Sequence, residues 1–141
     1  MDREYLVSME IDTDLYNNSM IGHLGISFIE SDDDDKIKAT MPVDTRTSQP
    51  FGLLCGGASL ALAECIAGHG SSQICSDDTY AVGMQVSANH ISGVPVGQSV
   101  TGIGTLIHKG KSSHVWNIDI MSQDNKLVST VRIVNFVYSK K

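Results

Sequence analysis

One apolar segment, interrupted by a single carboxylate, constrains this chain more than any other feature. The segment runs from residue 54 to about residue 69, opens with Gly56 and Gly57, and contains Glu64. A helix that is apolar on every side is normally buried and needs a surface that covers it. A buried carboxylate without partners costs roughly several kcal/mol or takes up a proton. Glu64 therefore requires either a partner or a function.

The second half of the chain has the pattern of an antiparallel sheet. Four β-rich runs lie at about 80–91, 98–108, 113–122 and 127–138, and short turns separate them. Alternation is clearest where Trp116, Ile118 and Ile120 interleave with more polar neighbours. A curved antiparallel sheet of five or six strands, wrapped around one long central helix, buries both elements. The sequence predicts an α+β fold in a single domain over residues 1–141.

The region before the helix has weaker signals. Within an N-terminal segment of residues 1–20, residues 12–19 are predicted to form a short helix, and residues 21–30 a β-like stretch. The acidic run 31–35 is predicted to be a solvated turn that leads into a strand at 36–41, followed by a loop at 42–50. A calcium loop is the alternative for the acidic run, which lacks the glycine and the later glutamate of an EF-hand. Glycines and serines at 68–72 are expected to end the long helix.

Composition excludes several classes of partner and location. A length of 141 residues suits one domain, and a net charge of −6 at pH 7 argues against nucleic acid. The apolar segment is too short to span a bilayer, and the first residues lack signal-peptide character. Cysteines 55, 65 and 75 have no paired spacing, so they are expected to be free thiols. We expect a soluble, cytoplasmic protein that binds neither membrane nor nucleic acid.

The glycine-rich start of the helix does not match the known phosphate-binding or nucleophile motifs. The remaining interpretation is a reaction that uses the Glu64 carboxylate. Ala58 occupies the lysine position of a P-loop, and Ser59 lacks the second glycine of a nucleophile elbow. The five histidines have no metal-ligand spacing, so no metal is expected. Backbone N–H groups of Gly56 and Gly57 can approach a ligand and stabilise an oxyanion, while Glu64 attacks or activates water. The alternative is that the glycines allow close packing and Glu64 is a hydrogen-bonded core acid.

Helix geometry adds an oligomeric prediction. Gly56 and Glu64 are eight residues apart, which is roughly 12 Å along one helix axis. One helix cannot place both groups on the same carbonyl. If both act on one substrate carbon, they come from different subunits, which predicts an obligate homodimer with two composite sites.

A series of short motifs covers nearly the whole chain from about Met20. They are Met41-Pro42-Val43-Asp44, Arg46-Thr47, Gln49-Pro50-Phe51-Gly52-Leu53-Leu54, Gly56-Gly57-Ala58-Ser59, Leu62-Ala63-Glu64, Ala88-Asn89-His90, His108-Lys109-Gly110 and Val115-Trp116. With these motifs the chain resembles the hotdog-fold acyl-CoA thioesterases. The resemblance is closest to the branch that hydrolyses 1,4-dihydroxy-2-naphthoyl-CoA in menaquinone synthesis, and it extends to the phenylacetate-type enzymes. The resemblance implies a hotdog fold, a dimer that often pairs into a homotetramer, and hydrolysis of an aromatic acyl-CoA. It implies no metal and no separate cofactor, since CoA is part of the substrate.

The resemblance assigns roles to single positions. Glu64 matches the catalytic carboxylate, acting as nucleophile or general base, and Gly56 matches the glycine whose N–H polarises the thioester carbonyl. Gln49 matches the glutamine that places the thioester or the water. Two substrate-proximal positions depart from the family: Cys55 replaces a usual histidine, and Gly68 replaces a usual serine or threonine.

The departure at residue 55 leaves two interpretations open. A thiol donates hydrogen bonds poorly, so Cys55 weakens one polar contact near the carbonyl while the Gly56 N–H is unaffected. Alternatively, Cys55 is itself a thiolate nucleophile favoured by the helix N-terminus. Neighbouring residues in the sequence offer it no obvious base.

The CoA moiety has its own candidates. Lysines in a turn can meet nucleotide phosphates as point charges. An ordinary solvated turn is the alternative. By resemblance, the CoA-binding residues are His90, His108, Lys109, Gly110 and Lys111.

Other functions are compatible with the same fold. A non-catalytic acyl-CoA-binding module is one, because of Cys55, and a thioesterase for other aryl or medium-chain acyl groups is another. A dehydratase fits less well, since the motif differs from the histidine signature of those enzymes.

Overall fold

The structure is a computed structural model that describes residues 10–33 and 35–140, with side chains from Asp14 onward. Among these residues, no helix combines the length and apolar character needed to cross a membrane. In chain order, the elements are α1 (Glu10–Asn17), α2 (Met20–His23), β1 (Ser27–Ile29), β2 (Lys36–Pro42), α3 (Gly56–Ile74), β3 (Thr79–His90), β4 (Ser99–Lys109), β5 (Ser113–Ser122) and β6 (Leu127–Ser139).

The strands form one antiparallel sheet in the order β1-β2-β4-β5-β6-β3. Helix α3 packs across one face of this sheet and contacts five of its strands. The predicted α+β architecture, one long helix against a curved antiparallel sheet, is therefore confirmed with six strands. Each of the four strands predicted in the second half of the chain is present.

The core lies between α3 and the inner face of the sheet. Trp116, Ile118 and Ile120 are buried on that face, as their alternation predicts. Ile66 of α3 is fully buried against β4, where a Cβ atom on Gly102 or Gly104 would lie 2.5 or 2.6 Å from its side chain. These two glycines let the helix approach the sheet closely, and their lack of side chains fixes the height of α3 above it.

The end of α3 was predicted wrongly, because the helix continues to Ile74 through all the proposed stop signals. At Gly70, a Cβ atom would lie 2.5 Å from side-chain atoms of Ile37 and Trp116, so glycine is required there by packing and not by a turn. Ser71 is fully buried and hydrogen-bonded to the sheet. Tertiary contacts thus outweigh the low helix propensity of these residues.

The N-terminal region also departs from the prediction. Helix α1 begins two residues earlier than expected, and the stretch 21–30 is not a continuous strand. The side chain of Ser19 caps α2 by accepting from Ile21 N–H at 3.3 Å, and Gly25 turns the chain with a φ of +73°. Only Ser27–Ile29 is extended. The acidic run forms the predicted turn, with Asp34 outside the described residues.

Candidate active site

A braced loop leads from β2 to the start of α3. Arg46 bonds the Asp44 carboxylate, with Nη2 to Oδ2 at 2.7 Å, and its Nη1 donates to His23 O at 2.9 Å. The hydrogen bonds that the side chain and then the backbone N–H of Arg46 donate to this carboxylate lower the pKa of Asp44 below its usual value. The buried Thr47 hydroxyl donates to Pro42 O at 2.8 Å. The motif around Asp44 and Arg46 therefore holds the loop in place and takes no visible part in chemistry.

Gln49 begins a tight turn directly before the helix. Its N–H donates to Leu53 O at 2.8 Å, its carbonyl accepts from Gly52 N–H at 3.0 Å, and Gly52 has a φ of +81°. The side-chain Oε1 of Gln49 accepts from Phe51 N–H. The carboxamide N–H₂ remains free to donate among the described residues, and Phe51 projects outward with 90% of its surface exposed.

The first turn of α3 presents two unbonded backbone donors. Cys55 is the N-cap, and its carbonyl accepts from the N–H groups of Ala58 at 3.0 Å and Ser59 at 3.3 Å. In the described part of the chain, the N–H groups of Gly56 and Gly57 donate to no backbone carbonyl. Both lie at the positive end of a 19-residue helix, where an anionic oxygen is stabilised.

His90 also lies at the start of α3. A Cβ atom placed on Gly56 would be 2.7 Å from His90 Nε2, so the imidazole occupies the space beside this glycine. The other ring nitrogen, Nδ1, is hydrogen-bonded to Ser129 Oγ at 2.7 Å. Sequence reasoning placed His90 with CoA, whereas the structure brings it next to the proposed oxyanion donor.

Glu64 is exposed in the single chain, so the expectation of a helix buried on every side is wrong. Helix α3 covers the sheet with one face only, and Glu64 lies on the opposite stripe with Gly57, Leu60 and Ala61. Its carboxylate rests against β3, because a Cβ atom on Gly83 would lie 3.2 Å from Glu64 Oε1. The alternative of a hydrogen-bonded core acid does not describe this residue.

A cavity of about 410 Å³ opens beside this carboxylate. Apart from Glu64, its walls are apolar or weakly polar: Met20, Gly57, Leu60, Ala61, Cys65 and Val86. Burial, with a smaller contribution from the Glu64 charge, raises the pKa of the Cys65 thiol to about 11. Cys65 is therefore a neutral wall residue at physiological pH and not a nucleophile.

The site residues fall into two groups within one chain. His90 pairs with Ser129 and Gly83 pairs with Asn135, so the two pairs are six residues apart along β6, or roughly 20 Å. We call Gln49, Cys55, Gly56, Gly57 and His90 the helix-start group, and Glu64, Cys65, Gly68, Gly83 and Val86 the carboxylate group. Gly57 borders the cavity beside Glu64, whereas α3 holds Gly56 and Glu64 roughly 12 Å apart along its axis.

The turn at residues 108–111, which contains Lys109 and Lys111, lies at the same end of the sheet as the carboxylate group. Lys109 pairs with His114, which pairs with Asn135, which in turn pairs with Gly83. A Cβ atom on Gly110 would lie 2.6 Å from His108 Nε2, so the exposed imidazole rests against this glycine. The predicted CoA residues are therefore divided in one chain: residues 108–111 lie at one end of the sheet and His90 at the other.

Gly68, which replaces the usual serine or threonine of the family, has open space beside it. A Cβ atom there would meet nothing within 4 Å apart from its own helix and chain neighbours. A larger side chain would fit without rearrangement of the backbone. The missing hydroxyl is thus a difference in chemistry and not a packing requirement.

Sequence reasoning missed a buried polar cluster that anchors α3. Trp116 Nε1 and Asn135 Nδ2 each donate to Ser71 Oγ at 2.9 Å, which uses both lone pairs of that hydroxyl. The Ser71 O–H must then donate to His114 Nδ1, also at 2.9 Å. Burial lowers the pKa of His114 and favours this neutral imidazole. Serine in an apolar helix was the only available signal.

Comparison with known proteins identifies the family. The sequence model of the thioesterase superfamily matches residues 51–129, which include Gly56, Glu64 and His90. A thioesterase from Haemophilus influenzae of known structure superposes with a TM-score of 0.84 at 42% identity, covering 90% of this chain and 87% of that one. The chain belongs to the thioesterase superfamily. It has the hotdog fold and is a thioester hydrolase.

Several relatives of this thioesterase carry functional names. A putative esterase from Pseudomonas aeruginosa is 48% identical over 111 residues, covering 77% of this chain and 74% of the relative. The proofreading thioesterase EntH of Cronobacter sakazakii is 43% identical, covering 82% of each chain. The 1,4-dihydroxy-2-naphthoyl-CoA hydrolase of Escherichia coli is 37% identical, covering 93% of this chain and 95% of that one.

Proposed function

We propose that this thioesterase hydrolyses an aromatic acyl-CoA, with 1,4-dihydroxy-2-naphthoyl-CoA of menaquinone synthesis as the best candidate, in the cytoplasm. The observation that carries the proposal is the exposed Glu64 carboxylate beside an apolar cavity, on the same helix as two unbonded N–H donors. The apolar walls of this cavity suit an apolar acyl group. The similarity to the Escherichia coli hydrolase supports the same substrate.

The proposed reaction divides the chemistry between the two groups. The Gly56 N–H binds the thioester oxygen, where negative charge develops, and Gln49 helps to place the thioester or the water. Glu64 either attacks the carbonyl carbon or removes a proton from the attacking water. When water attacks, the tetrahedral intermediate collapses, the C–S bond breaks, the CoA sulfur leaves and takes a proton, and the acid is formed directly. When Glu64 attacks, the same C–S cleavage leaves the acyl group on Glu64 as a mixed anhydride, which water then hydrolyses to the free acid and the Glu64 carboxylate. The products are the free acid and CoA, without metal or separate cofactor.

The proposed assembly is a homodimer that pairs through β3, with tetramer formation beyond it. β3 is an edge strand of the sheet and carries Gly83 near one end and His90 at the other. Antiparallel pairing of two copies around residues 86 and 87 places Gly83 of one copy opposite His90 of its partner. The carboxylate group of one subunit then meets the helix-start group of the other, which also brings residues 108–111 towards His90.

A substrate panel with thiol-release detection tests the proposal. 1,4-Dihydroxy-2-naphthoyl-CoA and benzoyl-type thioesters are compared with straight-chain thioesters, and the naphthoyl substrate is expected to give the highest kcat/KM. Glu64→Gln should lower kcat by about 100-fold or more with the dimer intact. Asp124→Asn, which removes the same charge from the distant β5–β6 turn, is the matched control and should keep its rate. A Glu64→Gln enzyme at full rate would refute the mechanism.

A second candidate is a thioesterase for other aryl or medium-chain acyl groups. The proofreading thioesterase is 43% identical to this chain, above the 37% of the naphthoyl hydrolase, so acyl groups other than naphthoyl belong in the test. Met20, with 57% of its surface exposed, forms a flexible part of the cavity wall. The same panel decides between these substrates by their kcat/KM values.

A non-catalytic acyl-CoA-binding module is the candidate from another class, and Cys55 is the reason to test it. A binder would raise the melting temperature in the presence of the thioester and release no thiol.

A further inference from the structure

The side-chain hydroxyl of Ser129 determines which nitrogen of His90 carries hydrogen. Ser129 is 1% exposed, and its hydroxyl has a single hydrogen to donate. Within residues 10–33 and 35–140, the acceptor in reach of that hydroxyl is His90 Nδ1, at 2.7 Å. An unpaired hydroxyl hydrogen in the protein interior is costly, so the arrangement of lower free energy has the Ser129 O–H donate to Nδ1, which then carries no hydrogen. The neutral imidazole then carries its hydrogen on Nε2.

The protonated nitrogen faces the start of α3. Nε2 lies 2.7 Å from the position of a Cβ atom on Gly56, closer than a side chain at residue 56 would permit. It bonds to no group in the described part of the chain, and neither Gly56 nor Gly57 N–H is used by a backbone carbonyl. Three hydrogen-bond donors therefore lie around the same end of the helix.

We propose that His90 Nε2–H donates to the thioester carbonyl oxygen alongside Gly56 N–H, and that Ser129 is the positioning residue that sets the ring and its tautomer. The inference rests on the proposed thioesterase reaction. It assigns His90 to the reacting carbonyl and not to the CoA moiety. A thiol is a poor donor at the helix start, so the imidazole on β3 gives this site a side-chain donor that Cys55 does not supply.

Steady-state kinetics separate a carbonyl contact from a CoA contact. His90→Ala is expected to lower kcat by about 10- to 100-fold, with KM within about twofold of wild type, because the donor acts on charge that develops in the transition state. His90→Gln, whose carboxamide N–H₂ reaches a similar position, should recover part of kcat. A CoA contact would instead raise KM and leave kcat unchanged, and that result would overturn the proposal.

A double-mutant cycle tests whether Ser129 acts through His90. Ser129→Ala should lower kcat by about 3- to 10-fold, and the loss should disappear when His90 is already alanine. Thr130→Ala is the matched control, since Thr130 is the next hydroxyl of β6, points to the opposite face and donates to Asp119. It should retain the wild-type rate. Additive losses for Ser129 and His90 would contradict a positioning role.

Nitrogen-15 NMR of the imidazoles tests the tautomer without substrate. The His90 ring, assigned by its loss in His90→Gln, should be the Nε2–H tautomer in wild type and a mixture in Ser129→Ala. An Nδ1–H tautomer in wild type would refute the inference.

The failure of this inference can be distinguished from the failure of the proposed function. A wild-type protein that releases no thiol refutes the thioesterase reaction. A Glu64-dependent enzyme whose His90→Ala variant changes only KM refutes the role of His90 alone.

Discussion

Gly56 is the residue on which the structure and the chemistry depend most directly. It supplies a backbone donor, and its missing side chain makes room for His90 Nε2. Gly56→Ala should therefore displace the imidazole and lower kcat by about 10- to 100-fold, with little loss of stability since alanine favours helix. Steady-state kinetics and thermal melting of the same preparation check this. Gly57→Ala, whose Cβ would meet only Cys55 Sγ at 3.8 Å, should lose much less, and equal losses would contradict the steric explanation.

The sequence suggested a role for some residues of the candidate site and none for others. The family resemblance assigned roles to Gly56, Glu64 and Gln49, because a nearly continuous run of matching residues surrounds them. The resemblance did not point to Ser129. This residue reaches His90 only because β6 pairs with β3. Nothing local distinguishes this serine from the adjacent Thr130, which faces the other side of the sheet.

At the scale of elements, α3 depends on the buried cluster around Ser71. Ser71→Ala would leave the Trp116 and Asn135 donors without their acceptor, and it should lower the free energy of unfolding by about 2–4 kcal/mol. Urea unfolding measures this. Asp119→Asn, on the outer face of the sheet, is a suitable comparison and should change stability by less than about 1 kcal/mol. A Ser71→Ala protein as stable as wild type would show that the cluster does not anchor the helix.

The same packing explains which elements the sequence predicted well. Alternation locates the strands because each strand has one face on the core, and every strand predicted in the second half of the chain is present. The end of α3 was missed because Gly70 and Ser71 are helix-breaking in isolation and are held helical by contacts with the sheet. Local propensity cannot report contacts between residues far apart in sequence.

Acid should destabilise the fold through the buried histidine of α3. His69 is 3% exposed, stacks on Phe28 at 4.1 Å and is hydrogen-bonded to Tyr16, and burial lowers its pKa to about 4. Below about pH 6.5 the unfolded chain takes up a proton that the folded chain excludes. Stability is therefore complete above pH 6.5 and is lost progressively between pH 6.5 and 4, by about 3 kcal/mol.

Unfolding by urea at a series of pH values measures this loss. His69→Gln, which cannot be protonated, should have a shallower decline over the same interval than wild type. Other groups contribute to acid unfolding in both proteins, so the difference between the two curves is the relevant quantity. Parallel curves would exclude His69 as the cause.

At the scale of the whole molecule, the division into two groups predicts complementation between inactive variants. Helix α3 separates Gly56 from Glu64 by roughly 12 Å along its axis. A dimer of either variant alone should therefore keep only a small residual activity, whereas a mixed dimer of two different variants contains one site with both groups intact. Mixing equal amounts of Glu64→Gln and His90→Ala after unfolding and refolding together should restore about a quarter of wild-type activity, since half the dimers are mixed and each has one working site.

The control is the same pair of variants refolded separately and then combined without exchange, which should give only the sum of their residual rates. Activity that rises on joint refolding requires that the carboxylate of one subunit serve the helix start of the other. Activity that stays at the sum would place both groups in one chain. In that case Glu64 and Gly56 could meet on one thioester only if α3 broke between them, so the outcome tests the integrity of the helix as well as the symmetry of the assembly.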